Sequence, residues 1–187
     1  AIETLLLDVF SNSIKKFNII NLRYFNPIGA HCSGQIGEQC IGKPNNLFPY
    51  INEVALGKRE KLYIFGKDWP TIDGTGVRDY IHVMDLAKGH LSALKFLMKN
   101  DNVYFNINLG TGNGTSVLQL VETFSKVNNC KIPYSFLERR EGDVACCVAD
   151  NSLALEILGW EPTFSIEDMC KDGWLWFSSN PNGYKRI

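Results

Sequence analysis

The sequence predicts an α/β fold. Short apolar runs rich in isoleucine and aromatic residues, typical of buried parallel strands, alternate along the chain with longer segments of helical periodicity. Most of the helical segments carry a capping residue at their start or a glycine at their end. The 187 residues, 45% hydrophobic and 21% charged, suit one globular unit, and no linker, repeat or low-complexity block divides residues 1–187.

The first part of the chain predicts a helix, a strand, a long loop, a helix and a strand. The predicted bounds are residues 2–10 for the helix, 18–25 for the strand, 30–46 for the loop, 47–56 for the second helix and 62–65 for the second strand. Gly57 is expected to end the second helix as a C-terminal cap. Because no capping residue precedes the first helix, we expect the chain to begin inside it, as the C-terminal part of a longer protein.

The second part predicts a helix beyond Asp85, a strand, a helix, a strand and two further helices. The strands cover 103–109 and 133–137, and the helices cover 117–127, 153–158 and the segment that follows Ser165. Ser116 with Gln119, and Ser165 with Asp168, have the spacing of capping pairs. In the helix beyond Asp85, the apolar stripe that is predicted to face the core consists of Ala87, Leu91, Leu94 and Met98, and it is widened by Leu86, Ala93 and Leu97.

The stretch 73–85 (DGTGVRDYIHVMD) is the strongest candidate for function. Arg78 lies on a glycine-rich loop directly ahead of a helix. Loops that a rigid scaffold holds in place often bind polar ligands. A guanidinium can bind a phosphate through two parallel hydrogen bonds. The alternative is structural, with Arg78 paired to Asp79 or Asp85 to hold the loop closed.

Composition excludes several classes of protein. A net charge of −1 gives no electrostatic basis for binding nucleic acid or an anionic membrane, and no apolar run reaches a membrane-spanning length. The cysteines show neither C-x-x-C pairing nor zinc-finger spacing to histidine, so we expect free thiols, no metal site and a cytoplasmic location; they are Cys32, Cys40, Cys130, Cys146, Cys147 and Cys170.

Two short motifs are similar to motifs of enzymes that bind dinucleotide cofactors. Gly110-x-Gly112-x-Gly114 lies between a strand and a helix, but its spacing differs from G-x-G-x-x-G, which favours a tight turn. Tyr63 and Lys67 have the spacing of a catalytic Tyr-x-x-x-Lys pair, but they lie on a predicted strand, which would separate them too far to interact.

Several longer segments occur together in one order. They are LRYFNP at 22–27, GAH at 29–31, PNNL at 44–47, the stretch 73–85, NLG at 108–110 and RREGD at 139–143. In this order and spacing the chain resembles the UDP-glucose 4-epimerases (UDP-galactose 4-epimerases), a family of the extended short-chain dehydrogenase superfamily, from near Ala1 to about Tyr184.

The resemblance implies an enzyme that interconverts UDP-glucose and UDP-galactose on bound NAD, by transient oxidation at C4. It implies that 1–27 and 103–127 are the last strands and helices of a Rossmann-type parallel sheet. Residues 28–102 and 128–187 would mainly form a smaller α/β lobe that binds the UDP-sugar. The NAD-binding N-terminal half and the catalytic tyrosine and lysine would lie upstream, so this chain alone would hold no catalytic residue and be inactive. The full-length protein would be a homodimer.

The same resemblance assigns a diphosphate clamp. Arg78 and Arg140 match the motif positions that bind the diphosphate, and Asp143 matches the position that accepts hydrogen bonds from the uridine ribose.

Further positions would line the rest of the ligand. Asn26 and Asn46 would contact the phosphate or sugar side, with Leu47 beside them, and Tyr63 and Phe65 would form the shelf for uracil. Structural alternatives are a plain helix cap for Asn46 and a core position for Phe65.

Two more positions complete the assignment. Phe25 would approach the nicotinamide, and Cys147 occupies a position where the family carries either a tyrosine or a small residue. A small residue leaves room for an acetamido group, so UDP-N-acetylhexosamines are expected as additional substrates. The alternatives are another nucleotide-sugar enzyme of the superfamily (a dehydratase, decarboxylase or uronate epimerase) or a non-catalytic UDP-sugar-binding module.

Overall fold

The computed structural model describes residues 1–14, 17–39 and 42–184. Within these ranges the helices are α1 (Ile2–Asn12), α2 (Leu47–Ala55), α3 (Val83–Leu97), α4 (Val117–Val127), α5 (Ser152–Leu158) and α6 (Ile166–Ser179). The strands are β1 (Ile19–Tyr24), β2 (Asn26–Ile28), β3 (Leu62–Phe65), β4 (Val77–Arg78), β5 (Tyr80–His82), β6 (Tyr104–Leu109), β7 (Thr115–Ser116), β8 (Tyr134–Leu137) and β9 (Cys146–Cys147). The chain is therefore a mixed α/β fold.

The longest strands, β1 and β6, form a parallel pair in which Ile19 lies opposite Tyr104 and Tyr24 opposite Leu109. One face of the pair packs against α3 and α5, where Ile107 and Leu109 are fully buried. The other face meets α1, because the Tyr104 hydroxyl donates to the Glu3 carbonyl over 2.7 Å. No residue of β1 is fully buried, and in β6 only Ile107 and Leu109 are, so the pair has one buried face and one face that α1 covers in part.

A second core lies between α2, α4 and α6. The ring of Phe124 packs edge-to-face on both Phe48 and Trp174, with centroids 5.9 Å apart in each pair. Gly173 of α6 allows this packing, since a Cβ atom there would overlap the ring edge of Phe48. Helix α4 thus packs with α2 and α6, whereas α3 packs on β1; the proposed division between a sheet domain and a lobe stays a prediction.

Short strands join the two cores. β2 pairs with β5, β3 pairs with β8, and β4 lies between β7 and β9 in a three-stranded sheet. The pairs β2–β5, β3–β8 and β4–β9 are parallel, and β4–β7 is antiparallel. These strands of two to four residues place segments that are distant in sequence beside one another.

The predicted helix ends are mostly confirmed. Ser116 with Gln119 and Ser165 with Asp168 form complete capping boxes at the starts of α4 and α6. Gly57 follows the last turn of α2 with a φ of 71°, a conformation that favours glycine.

Helix α3 differs from the prediction in two ways. It begins at Val83 rather than beyond Asp85, because the His82 side chain caps it by accepting the Met84 N–H. The centre of the predicted stripe is also wrong, since only its flanking residues Leu86 and Ala93 are buried, together with Gly89. The outward positions are Ala87, Leu91, Leu94 and Met98. α3 is apolar on two faces, so periodicity alone could not decide which one packs against the sheet.

Candidate functional site

The site region begins at the carboxyl ends of the parallel pair. β1 leads into Phe25 and Asn26, and β6 leads into Gly110. Open parallel sheets bind ligands at this edge. Phe25 and Asn26 are half-buried there, and the Asn26 N–H donates to the Asp79 carbonyl over 3.0 Å, which brings β1 against the stretch 73–85.

Arg78 lies on the middle strand of the three-stranded sheet. In the register of the ladder it faces Thr115 of β7 and Cys147 of β9. The side chain of Cys147 is exposed. Of the predicted site residues, Arg78 and Cys147 are therefore direct neighbours across a ladder.

Arg78, Arg140 and Asp143 converge in one cluster. The Arg140 Nε donates to Asp143 Oδ2 over 3.0 Å, and the Arg78 guanidinium lies 3.9 Å from Asp143 Oδ1. The Arg78 guanidinium also donates to the Val144 carbonyl over 2.9 Å. The pairing of Arg78 with Asp79 or Asp85 that the alternative required does not form, because both of those carboxylates bind elsewhere.

An aromatic shelf borders this cluster. The Arg140 guanidinium lies 4.7 Å from the centre of the Phe65 ring, within the range of cation–π contacts. On β3 the side chains alternate: Leu62 and Ile64 are buried, while Tyr63 and Phe65 are exposed. This alternation contradicts the core position considered for Phe65, and it leaves both rings accessible, with the Phe65 ring beside Arg140.

Arg139, the neighbour of Arg140, faces a different group. Its guanidinium lies 4.0 Å from the centre of the Trp69 ring and donates to the Asp68 carboxylate over 2.8 Å. The two consecutive arginines therefore bind separate aromatic partners, and only Arg140 belongs to the cluster with Asp143.

Asn46 and Leu47 lie at the start of α2. Asn46 holds the N-cap position, but its side chain accepts no capping hydrogen bond, so its amide is exposed. Leu47 packs partly against the second core. Within the part of the chain that the structure describes, no hydrogen bond joins Asn46 to the arginine cluster.

His82 is a buried residue next to the site. Its ring is fully buried, stacks on Phe164 at 4.1 Å, and points Nε2 toward Asp172 Oδ2 at 3.4 Å without forming a good hydrogen bond. Burial lowers the pKa of His82, although the nearby carboxylates of Asp172, Asp85 and Asp168 act to raise it. The imidazole is therefore neutral near pH 7.

Asp79 is the residue that sequence reasoning missed. It is fully buried, and its carboxylate accepts hydrogen bonds from the backbone of Thr111, Gly112 and Ala149. The glycine-rich turn at 110–114 therefore holds a carboxylate of the same chain, and the prediction of a tight turn rather than a nucleotide fingerprint is confirmed. The available signal was an acid directly after Arg78 together with an unexplained glycine turn.

The described cysteines carry free thiols, while Cys40 lies outside the described residues. Within the described ranges no cluster of histidine, cysteine and acidic side chains is arranged to hold a metal ion, and no helix has the length and apolar character needed to cross a membrane.

Known proteins are similar to this chain over most of its length. A family model described as GDP-mannose 4,6 dehydratase matches residues 6–173. The UDP-glucose 4-epimerase of Drosophila melanogaster is 52% identical over 183 residues, which cover 97% of this chain and 52% of the relative. The chain belongs to the UDP-glucose 4-epimerase family. The Bacillus subtilis family member is 52% identical over 98% of this chain and 54% of its own length.

Solved structures of epimerases share the fold. The UDP-glucose 4-epimerase from Stenotrophomonas maltophila, solved with NAD and formylated UDP-arabinopyranose, matches with a TM-score of 0.93 and 46% identity over 96% of this chain and 53% of that one. The Bifidobacterium longum epimerase, in complex with NAD+ and UDP, gives 0.92 and 45% over 97% of this chain and 53% of that one. This chain spans about half the length of the epimerases it matches.

Proposed function

We propose that this chain is the UDP-sugar-binding part of an NAD-dependent UDP-glucose 4-epimerase, which interconverts UDP-galactose and UDP-glucose by transient oxidation at C4. The observation that carries the proposal is the convergence of Arg78, Arg140 and Asp143 beside Phe65. Two cations, one carboxylate and an aromatic face are the groups that a diphosphate, a ribose and a pyrimidine need in one place.

In this proposal the cluster grips the nucleotide. Arg78 and Arg140 bind the two phosphates, and Asp143, which sits between the guanidinium groups, accepts from the ribose hydroxyls. Tyr63 and Phe65 support uracil with their exposed face. Because all of these side chains keep some solvent access, a ligand can reach them without opening a core.

The sugar lies toward β1 and β9. Asn26 stands at the carboxyl end of β1, and Asn46 with Leu47 provides an exposed amide and an apolar edge. Cys147, next to Arg78 in the ladder, is small enough to leave space beside the sugar. This supports UDP-N-acetylhexosamines as further substrates.

Bound NAD would supply the hydride acceptor and donor for the transient oxidation at C4 of the sugar. The part of the chain that the structure describes would contact only the nicotinamide end of this cofactor. Phe25 follows the sheet edge where the nicotinamide would lie, but the glycine turn at 110–112 is filled by Asp79 and offers no site for the pyrophosphate. We infer that NAD is held mainly by residues outside this chain.

The remaining half of the enzyme would cover apolar surface that this chain leaves exposed. Ile2, Leu5 and Val9 of α1, and Leu94 and Met98 of α3, are each at least 48% exposed. Exposed apolar surface of this kind, here on the helices that cover the two faces of the β1–β6 pair, is typical of interfaces. We propose that an upstream half completes a Rossmann-type sheet on β1 and supplies the catalytic tyrosine and lysine. In this proposal the full-length protein is a cytoplasmic homodimer, and the chain alone is inactive.

The test is the full-length protein with UDP-galactose. Formation of UDP-glucose, followed by a coupled dehydrogenase, is the expected result, with slower conversion of UDP-N-acetylgalactosamine. Another nucleotide-sugar enzyme would consume its substrate without forming UDP-glucose. A binding module would bind UDP in a calorimetric titration and convert nothing.

A further inference from the structure

The carboxylate of Asp79 is surrounded by donors. Oδ1 accepts from the Thr111 N–H over 2.8 Å and from the Thr111 hydroxyl over 2.6 Å. Oδ2 accepts from the N–H groups of Gly112 over 2.9 Å and Ala149 over 3.2 Å. All four partners are donors, so the arrangement suits a carboxylate that only accepts.

The glycine turn is shaped around this anion. A Cβ atom on Gly110 would lie 2.7 Å from Asp79 Oδ2 and 2.5 Å from the Ala149 Cβ, so only glycine fits there. Gly112 has a φ of 74°, which turns successive N–H groups toward one point. Concave groups of backbone N–H of this type hold anions, often phosphate. Here the anion comes from the chain itself.

The backbone of Asp79 holds two further segments. Its carbonyl accepts the Asn26 N–H over 3.0 Å, and its N–H donates to the Cys147 carbonyl over 3.1 Å. Arg78 is the preceding residue. One buried position therefore connects the segments that carry Asn26, Arg78 and Cys147, which belong to β2, β4 and β9.

We propose that Asp79 is a positioning residue: its carboxylate fills the glycine turn at 110–112 as an internal anion, and so fixes Arg78 in the orientation that grips the UDP-sugar. Asp79 touches no ligand in this arrangement. The proposal rests on the proposed function for the identity of the ligand, but the anchoring itself can be measured without it.

Asp79→Asn is the direct test because it keeps the size of the side chain. An amide would set its NH2 group against N–H donors, which leaves buried groups unpaired. Asp85→Asn is the matched control. Asp85 is equally buried and accepts from the Thr163 N–H, the Thr163 hydroxyl and the Phe164 N–H, none of which belongs to the ligand cluster.

The experiment uses the full-length protein. We expect both variants to lower the melting temperature, while only Asp79→Asn raises the KM for UDP-galactose, by roughly tenfold. Amide hydrogen exchange should accelerate at 76–80 and 110–112 in Asp79→Asn alone. Equal KM values in the two variants, with no local change in exchange, would overturn the proposal.

Removing the Asp79 carboxylate from the glycine turn allows a second test, in which an added anion replaces it. In Asp79→Ala, added formate should occupy the turn and lower the raised KM, with no effect on the unsubstituted protein. Absence of rescue would show that the charge in the turn does not position Arg78. Should neither variant fold, Thr111→Val, which removes only the hydroxyl donor, is expected to raise the KM about twofold; an unchanged KM counts against the proposal.

Failure of the proposed function would look different. The unsubstituted protein would then form no UDP-glucose, while the exchange rates at 110–112 would still respond to Asp79→Asn.

Discussion

The guanidinium of Arg140 lies 4.7 Å from the centre of the Phe65 ring and donates through Nε to the carboxylate of Asp143 over 3.0 Å. Stacking and ion pairing fix its plane, which a lysine ammonium would not reproduce. Arg139 offers a natural comparison, because it makes the same kinds of contact with Trp69 and Asp68.

Arg140→Lys should weaken UDP binding roughly tenfold, since a bidentate contact is lost. Titration calorimetry of the full-length protein with UDP measures this. The control is Arg139→Lys, which should change the dissociation constant less than twofold. Equal losses in both variants would mean that Arg140 has no special role.

Cys147→Tyr should reduce activity with acetylated sugars selectively. Cys147 faces Arg78 across the ladder, so a bulky ring would fill the space beside the sugar. We expect kcat/KM for UDP-N-acetylglucosamine to fall at least tenfold, with that for UDP-galactose changed little. Cys146→Tyr is the control, because side chains alternate along a strand and its ring would point away. A parallel loss with both sugars would contradict the prediction.

Acid should destabilise the protein through His82. Its pKa in the folded state is lowered mainly by burial, so the unfolded chain binds the proton first as the pH falls through the ordinary value. Stability is then lost below about pH 6.5, by at most about 1.4 kcal/mol per pH unit for one proton.

His82→Asn separates this effect from other titrations. An asparagine can still cap α3 at this position, but it does not titrate. Its free energy of unfolding, measured in urea, should therefore change less than that of the parent between pH 6.5 and 5.5. The buried carboxylate Asp85 acts in a lower range: burial opposes its ionisation, but hydrogen bonds from Phe164 and Thr163 outweigh this and lower its pKa.

Gly173→Ala should destabilise the second core. Alanine gains about 1 kcal/mol as a helix former, but its Cβ would overlap the buried ring of Phe48. Overpacking of this kind costs roughly 1 to 3 kcal/mol. We expect a lower melting temperature for this variant and no decrease for Ser179→Ala, on the exposed end of the same helix. A more stable Gly173→Ala protein would show that Phe48 can move.

Local signals predicted the regular elements well. The capping pairs at Ser116 and Ser165 fix helix starts through contacts three residues apart, so the sequence contains all that is needed. β1 and β6 are predicted by their short runs rich in isoleucine and aromatic residues. The strands β4 and β9 could not be predicted, since each has two residues and is defined only by its pairing with segments that are distant in sequence.

Only part of the candidate site could be predicted, because some of its contacts also join segments that are distant in sequence. The convergence expected of Arg78, Arg140 and Asp143 came from motif order, and the structure places them together; their ligand roles stay predictions. Asp79 was considered only as a partner of Arg78, its neighbour in sequence. Its actual partners are more than thirty residues away, at Thr111 and Ala149, where no local pattern could indicate them.

The three-stranded sheet around β4 also affects the thermodynamics of recognition. Arg78 is anchored on both sides, at Thr115 and Cys147, so its backbone has little freedom left to lose when a ligand arrives. In a flexible site, the entropy lost when backbone and side chains become ordered reduces the free energy of binding. A nucleotide bound here should therefore show a small entropic penalty and slow release, as the proposed epimerase function would require.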